Sequence, residues 1–282
     1  MAYALILSSH VAASRVGGTV QCLALAAFRI DTILVPTVLY GRHPGWGAPG
    51  GAQVPVEAFE GMLDGVEANG LFSQVDLVIT GYFASAAQVR AAARTIDAVR
   101  AAPRIGEPVR KPLIIIDPVM GDAGKGLYVD PETATAIASE LAPRADIITP
   151  NAWELARLSH TQVRDPASAV NAAHILGKPC LVSSVPRGPE IGVVYADRRQ
   201  SWLAAHIKAP HAPSGSGDLL AALFAASLLE GQPVSYALAR AVGGVAETIA
   251  FANARDYPEL PVTEMGPRLK SVSTAVRMER LA

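Results

Sequence analysis

The chain of 282 residues is half hydrophobic, carries 24 basic against 25 acidic side chains, and has a formal net charge of −1. With no long run of one sign, that balance argues against a nucleic-acid partner, and the apolar content suffices for one large domain or two small ones. The two cysteines, Cys22 and Cys180, offer neither a disulfide framework nor a zinc spacing, so both are expected in the core and a reducing compartment fits.

The N-terminal stretch MAYALILSSHV lacks a basic region, and no apolar run approaches a membrane span. A soluble cytoplasmic protein is the expectation. Short apolar runs predict strands at Ala4–Leu7, Thr32–Leu39, Leu77–Thr80, Leu113–Asp117, Asp146–Thr149, Cys180–Ser184 and Gly192–Tyr195. Several do not alternate, as in strands buried on both faces. Helical patterns fall at Pro55–Asn69, Ala84–Arg100, Pro131–Leu141 and Asp165–Leu176, then near Asp218–Glu230 and Ser235–Ala252. Asp130-Pro131 and Asp165-Pro166 each read as an N-cap followed by a proline at the first helical position.

This β/α alternation reads as an α/β fold, a mainly parallel central β-sheet flanked by helices on both faces. Without repeats or low-complexity linkers, residues 1–282 are expected to form a single domain. The stretch Gly45–Gly50 satisfies G-x-G-x-x-G formally, but it opens no helix and contains a proline. It reads as a flap around residues 40–51, able to cover a ligand. Ala101–Pro112, with three prolines, reads as a long loop. Gly192–Tyr195 and Trp202–Ala205 flank Asp197-Arg198-Arg199 as a hairpin near one sheet edge, and the tail from Pro267 has weak helical character.

Ligands of open α/β sheets bind outside the carboxyl ends of the strands, where polar residues gather here: Ser8-Ser9-His10, Gly81-Tyr82, Asp117-Pro118, Pro150-Asn151 and Ser183-Ser184. The glycines of Gly215-Ser216-Gly217-Asp218 allow backbone N–H groups at a helix start to face an anion. Asp218 is then either an ordinary first-turn acid or a base that takes a proton from a substrate hydroxyl. In IIIDPVMGDAGKGLYVD, Asp117 at a strand end suits magnesium through water. Lys125 reads as a solvated loop charge or a phosphate partner. Asn151 and Glu154 share a helix face; they form either a capping pair or a site for a hydrated metal. His10 and His43 are loop histidines, either surface groups or substrate contacts, and Trp153 is expected in the core.

GSGD, NxxE and DPVMGD together resemble the ribokinase-like superfamily, and within it the pyridoxal kinase family. The resemblance spans nearly the whole chain, through SSHV, PTVLY, HPGWG, TGY, DPVMGDAGKGLYV, ADIITPNAWE, VSS and GSGD. It implies a ribokinase-like three-layer sandwich that phosphorylates the 5′-hydroxymethyl group of pyridoxal, with pyridoxine and pyridoxamine as further candidates. Asp218 would be the catalytic base, and Gly215, Ser216 and Gly217 the anion hole. Asp117, Asp122, Asn151, Glu154, Ser183 and Ser184 would serve ATP, with Mg2+ held by Glu154 and Asp117 through water. Ser9, Thr37, Tyr82, Tyr128 and His43 would contact the vitamer. A monovalent cation is a further candidate, and relatives pair as homodimers. Leu39–His43 departs from the family's Q-[FY]-S-N-H run, which leaves vitamer choice open. The absence of cysteine from Pro213–Asp218 argues against covalent capture of the aldehyde. The alternatives are a hydroxymethylpyrimidine kinase of thiamine metabolism and a non-catalytic B6-binding protein.

Overall fold

The computed structural model describes residues 2–105, 110–270 and 276–281. The chain opens with β1 (Ala2–Val11), α1 (Gly17–Ala27), β2 (Ile30–Tyr40), β3 (Gly51–Gln53), α2 (Val56–Ala68), β4 (Val75–Thr80), α3 (Ala86–Ala101) and β5 (Leu113–Ile116). A two-stranded ribbon, β6 (Gly121–Asp122) and β7 (Gly126–Leu127), leads to α4 (Pro131–Ala136), which continues as a π-helical turn to Leu141. Then come β8 (Ile147–Ile148), α5 (Ala152–Ser159), α6 (Pro166–Leu176), β9 (Cys180–Arg187), β10 (Glu190–Ala196) and β11 (Ser201–Ile207). The last elements are α7 (Ser216–Leu229), α8 (Val234–Asn253), α9 (Val262–Met265) and β12 (Arg277–Leu281).

Ten strands among the described residues form one sheet in the order β12-β11-β10-β9-β8-β5-β4-β1-β2-β3. The central run from β9 to β2 is parallel, and β3 at one end and β10–β12 at the other pair antiparallel. The sheet is mostly parallel, as the strand and helix alternation predicts.

Successive side chains of a strand point to opposite faces, and β1 divides its residues accordingly. Leu5 and Leu7 belong to a core with Phe59 of α2, Ile96 of α3 and Leu155 of α5. Ala4 and Ile6 belong to a second core with Val20 of α1, Phe224 of α7 and Leu238 of α8. Each fully buried Leu, Ile or Phe contributes roughly 1.5–3 kcal/mol.

The structure corrects the sequence reading in three places. The α1 segment GGTVQCLALAA is a helix that the pattern concealed, because it opens on two glycines and is apolar almost all round. Among the described residues from Pro267 on, the tail has no helix beyond the 3-10 turn at Gly266–Arg268; Arg277–Leu281 instead pairs with β11 as β12, so the β10–β11 hairpin lies one strand in from the edge. Trp153 is half-buried rather than in the core, and Cys22 likewise, while Cys180 is buried. Of the loop at 101–112, residues 106–109 lie outside the described residues. Among the described residues no helix is long and apolar enough to cross a membrane.

Two register shifts place polar groups at the carboxyl edge. One lies between Ser8 and His10 on β1, opposite Pro36–Leu39 of β2. The other sets Ser183 and Ser184 of β9 against the single residue Val193 of β10. Such bulges re-aim side chains where a ladder would otherwise run straight.

Candidate active site

Three buried or half-buried carboxylates meet at the carboxyl edge of the sheet. Gly215 begins the approach, with φ of 90° as the N-cap of α7. A Cβ on it would fall 2.2 Å from the Arg15 carbonyl oxygen, so only glycine lets the two backbones approach. Asp218 follows in the first turn of α7, at the positive end of the helix dipole. Its Oδ2 accepts the Gly17 N–H at 2.9 Å, across the join to α1. The carboxylate is thus engaged with a neighbouring element as well as with its own helix start. Surrounding protein pushes its pKa up to about 6, although the residue is only half-buried; the Gly17 N–H and its own amide oppose that rise. A Cβ on Gly81 would meet Ser8 Oγ at 2.3 Å and Asp218 Oδ1 at 3.8 Å. Glycine there leaves room beside the carboxylate.

Asp117, following β5, is raised well above the usual carboxylate range, first by burial, then by the charges of Glu154 and Asp218; the Val119 N–H works the other way. Val119 itself has φ of 38°, costly for a β-branched residue. Asn151 and Glu154 form the capping box of α5. Asn151 Oδ1 accepts from the Glu154 N–H, and Glu154 Oε2 accepts from the Asn151 N–H, each at 2.9 Å. Glu154 Oε1 also accepts from Met120 at 2.7 Å and Gly121 at 3.3 Å, while Asn151 Nδ2 donates to the Gly121 carbonyl at 2.8 Å. The capping pair is therefore present, and it ties the glycine loop to α5. Burial pushes Glu154 up to about 7 despite these donors. Asp117 and Glu154 could share a hydrated cation. Among the described residues no group of three or more His, Cys, Asp or Glu could hold a metal directly.

Around this centre, Asp122 accepts the Ala123 N–H at 2.7 Å and stands close enough to Tyr128 for its charge to act on the phenol. Burial and the Asp122 charge push Tyr128 up to about 12. Ser183 bridges to Asn151, its N–H donating to the Pro150 carbonyl at 2.9 Å. Ser184 is exposed with φ of 59°. Thr37 is fully buried; its hydroxyl donates to the Tyr82 carbonyl at 2.7 Å, while its own carbonyl accepts from Gln88 Nε2 at 2.9 Å. Through the hydroxyl bond it supports Tyr82. Ser9 is buried against Gly17, where a Cβ would come within 2.1 Å of the Ser9 hydroxyl.

The segment 40–51 is a hairpin between β2 and β3. His43 caps a 3-10 turn at Pro44–Trp46, its Nδ1 accepting the Gly45 N–H at 3.1 Å. Burial lowers the His43 pKa; the Glu259 carboxylate opposes this and the Lys125 charge adds to it. Lys125 thus lies near the hairpin. Trp46 is exposed, and His10 meets the Thr19 hydroxyl at 3.4 Å. Gly17, Gln88 and Glu259 escaped the sequence reading, and Gly81 was read only as a strand-end residue. The Gly17-Gly18 pair beside the serines was the one local signal; Gln88 and Glu259 had none.

The profile of the phosphomethylpyrimidine kinase family matches residues 64–260. Pyridoxal kinase PdxY of Corynebacterium diphtheriae is 29% identical over 286 residues, with 99% of each chain covered. The pyridoxine/pyridoxal/pyridoxamine kinase of Bordetella avium is 31% identical over 270 residues, covering 93% of this chain and 89% of its own. The structure of pyridoxal kinase from Leishmania donovani in complex with ADP and pyridoxamine superposes with a TM-score of 0.92 at 27% identity, covering 100% of both chains. Fold and matches together make the protein a small-molecule kinase. More narrowly, the chain belongs to the pyridoxal kinase family.

Proposed function

We propose that this protein transfers the γ-phosphoryl group of ATP to the 5′-hydroxymethyl group of pyridoxal, with pyridoxine and pyridoxamine as further acceptors. The observation that carries the assignment of roles is Asp218, a carboxylate at a helix N-terminus with a pKa near 6 and a glycine at its side. The hydroxymethyl oxygen attacks the γ-phosphorus, its proton passes to Asp218, and the bond to the β–γ bridging oxygen breaks to release ADP. Backbone N–H groups of Gly215, Ser216 and Gly217 receive the transferring phosphoryl oxygens.

Tyr82 packs against the pyridine ring, supported by Thr37 and Gln88, and Ser9 offers a hydroxyl to it. His43 and Tyr128 line the cover. Ser183, Ser184, Asn151 and Asp122 serve the nucleotide. The donor set of Asp117 and Glu154 fits Mg2+ held through water, because both carboxylates are buried and Asp117 bears the Glu154 charge as a cost that a cation would offset. When bound, Mg2+ neutralises charge developing on the β- and γ-phosphates.

The same reading includes one domain over residues 1–282 in a three-layer, ribokinase-like sandwich, with 40–51 as a flap. It also includes a homodimer in the cytoplasm. A second substrate, hydroxymethylpyrimidine, is favoured by the family profile over residues 64–260. A silent B6-binding protein would have no use for Asp218 beside an anion hole. ADP release is measured with ATP·Mg and, separately, pyridoxal, pyridoxine, pyridoxamine and hydroxymethylpyrimidine. Turnover with a B6 vitamer supports the reading, turnover with the pyrimidine alone moves the enzyme to the second substrate, and silence with all four refutes both.

A further inference from the structure

The turn between β1 and α1, residues 12–17, touches both Asp218 with its helix start and the root of the 40–51 hairpin. Its Gly17 N–H holds Asp218 Oδ2 at 2.9 Å, and its Arg15 carbonyl is the surface against which Gly215 packs. Its other end carries the root of the flap. Ala12 and Ala13 donate to the carbonyls of Tyr40 and Gly41 at 2.8 and 2.9 Å, and the Ser14 hydroxyl accepts the His43 N–H at 3.3 Å.

One side chain from far along the chain closes this arrangement. The carboxylate of Glu259, between α8 and α9, accepts the Arg15 N–H at 2.8 Å across 244 positions of sequence. Hydrogen bonds of an N–H to a carboxylate are charge-assisted and stronger than neutral ones. The Glu259 charge also reaches His43 on the flap. The same acid thus acts on the turn directly and on the flap through space.

We propose that Glu259 is a positioning residue for phosphoryl transfer: by holding the Arg15 amide it fixes the 12–17 turn, and through that turn the Gly17–Asp218 contact and the seat of the flap. The inference rests on the kinase reading above and deepens it. It assigns a role to a side chain that lies between α8 and α9 rather than at a strand end. Its mechanism is geometric, since a displacement of about 1 Å of a group that orients the base costs on the order of 100-fold in rate.

Two variants and two readouts test it. Glu259→Ala removes the acceptor, whereas Glu259→Gln keeps a carbonyl oxygen for the Arg15 amide. Turnover of the vitamer is measured per folded molecule, together with amide hydrogen exchange of a peptide covering residues 12–20. The expected result for Glu259→Ala is a kcat lowered about 10–100-fold with the ATP KM within about twofold, and faster exchange in that peptide. Glu259→Gln restores kcat to within about threefold of the parent and restores the protection of the peptide. A Glu259→Ala protein with parental kcat overturns the inference, and so does one whose kcat loss Glu259→Gln does not relieve. An unmodified protein that turns over none of the four acceptors overturns the kinase reading instead. The exchange readout still applies in that case: unchanged protection of residues 12–20 in Glu259→Ala would then show that the clamp does not exist.

Discussion

Replacement of Asp218 by asparagine separates catalysis from stability, because the two are expected to move in opposite directions. The folded pKa is about 6 against 3.8 for an unperturbed aspartate. A carboxylate raised in this way binds more protons folded than unfolded between those values. Stability is therefore lost as pH rises from about 4 to about 6, and the cost is complete at neutral pH. At 1.36 kcal/mol for each pH unit of difference, the buried charge costs about 3 kcal/mol. Water reaching the half-buried residue reduces that to about 2 kcal/mol.

Asparagine removes the charge while leaving an oxygen for the Gly17 N–H, so Asp218→Asn is expected to stabilise the protein by roughly 1–2 kcal/mol at pH 7 and to gain nothing at pH 4. Turnover is expected to fall by about 100–10,000-fold, the usual contribution of a positioned general base. In the parent, kcat/KM is expected to fall tenfold per pH unit below about pH 6, as the base becomes protonated. Urea unfolding at pH 7 and pH 4, beside initial rates with pyridoxal and ATP·Mg, checks all three. A variant that is inactive but less stable than the parent at pH 7 would refute the buried-charge argument. One with near-parental turnover would remove Asp218 from the role of base.

Glu154→Gln loses one of the two oxygens that accept Asn151, Met120 and Gly121, and is expected to cost roughly 1–3 kcal/mol in urea unfolding. It is also expected to raise the magnesium concentration for half-maximal rate several-fold with little change in pyridoxal KM; an unchanged magnesium curve would remove Glu154 from the metal role. Gly215→Ala meets backbone on both counts, a positive φ and a carbonyl 2.2 Å from the new Cβ. Roughly 1–3 kcal/mol of strain and a loss of turnover are expected, measured by thermal unfolding and initial rates. Phe224→Ala empties a fully buried position whose ring lies 5.9 Å from that of Tyr195, and is expected to cost about 3–5 kcal/mol in the same unfolding assay.

The sheet was legible in the sequence because strands buried on both faces read as unbroken apolar runs, and LIII at Leu113–Ile116 has no other economical interpretation. The helices with a polar cap before a proline, at Asp130 and Asp165, were legible for a similar local reason: side chain and ring act on their own helix start. Glu154 was legible only as a choice between two roles. Its spacing from Asn151 specifies the capping box, but the contacts to Met120 and Gly121 cross 34 and 33 positions and depend on how β5 and β8 lie side by side. Arg277–Leu281 gave no strand signal because its partner β11 supplies the register, and three of its five residues are exposed.

What stayed hidden is how Asp218, Gly17, Gly81 and Glu259 meet: the first three follow or precede strand and helix ends gathered at one sheet edge, and Glu259 reaches them from the segment between α8 and α9. Gly81 and Gly17 are glycines for reasons visible only from outside their own segments. A Cβ on either would run into the serines at the end of β1, and Gly81 also leaves space beside Asp218. A motif such as GSGD therefore names the group that reacts, while the groups that hold it still arrive by topology. Fixing a carboxylate at a pKa near 6 requires burial, which raises it, and a well-placed N–H, which keeps it from rising further. That N–H stands at the end of the turn whose Arg15 amide donates to Glu259 and whose Ala12 and Ala13 amides donate to the root of the 40–51 hairpin, so one short segment joins the base, Glu259 and that hairpin.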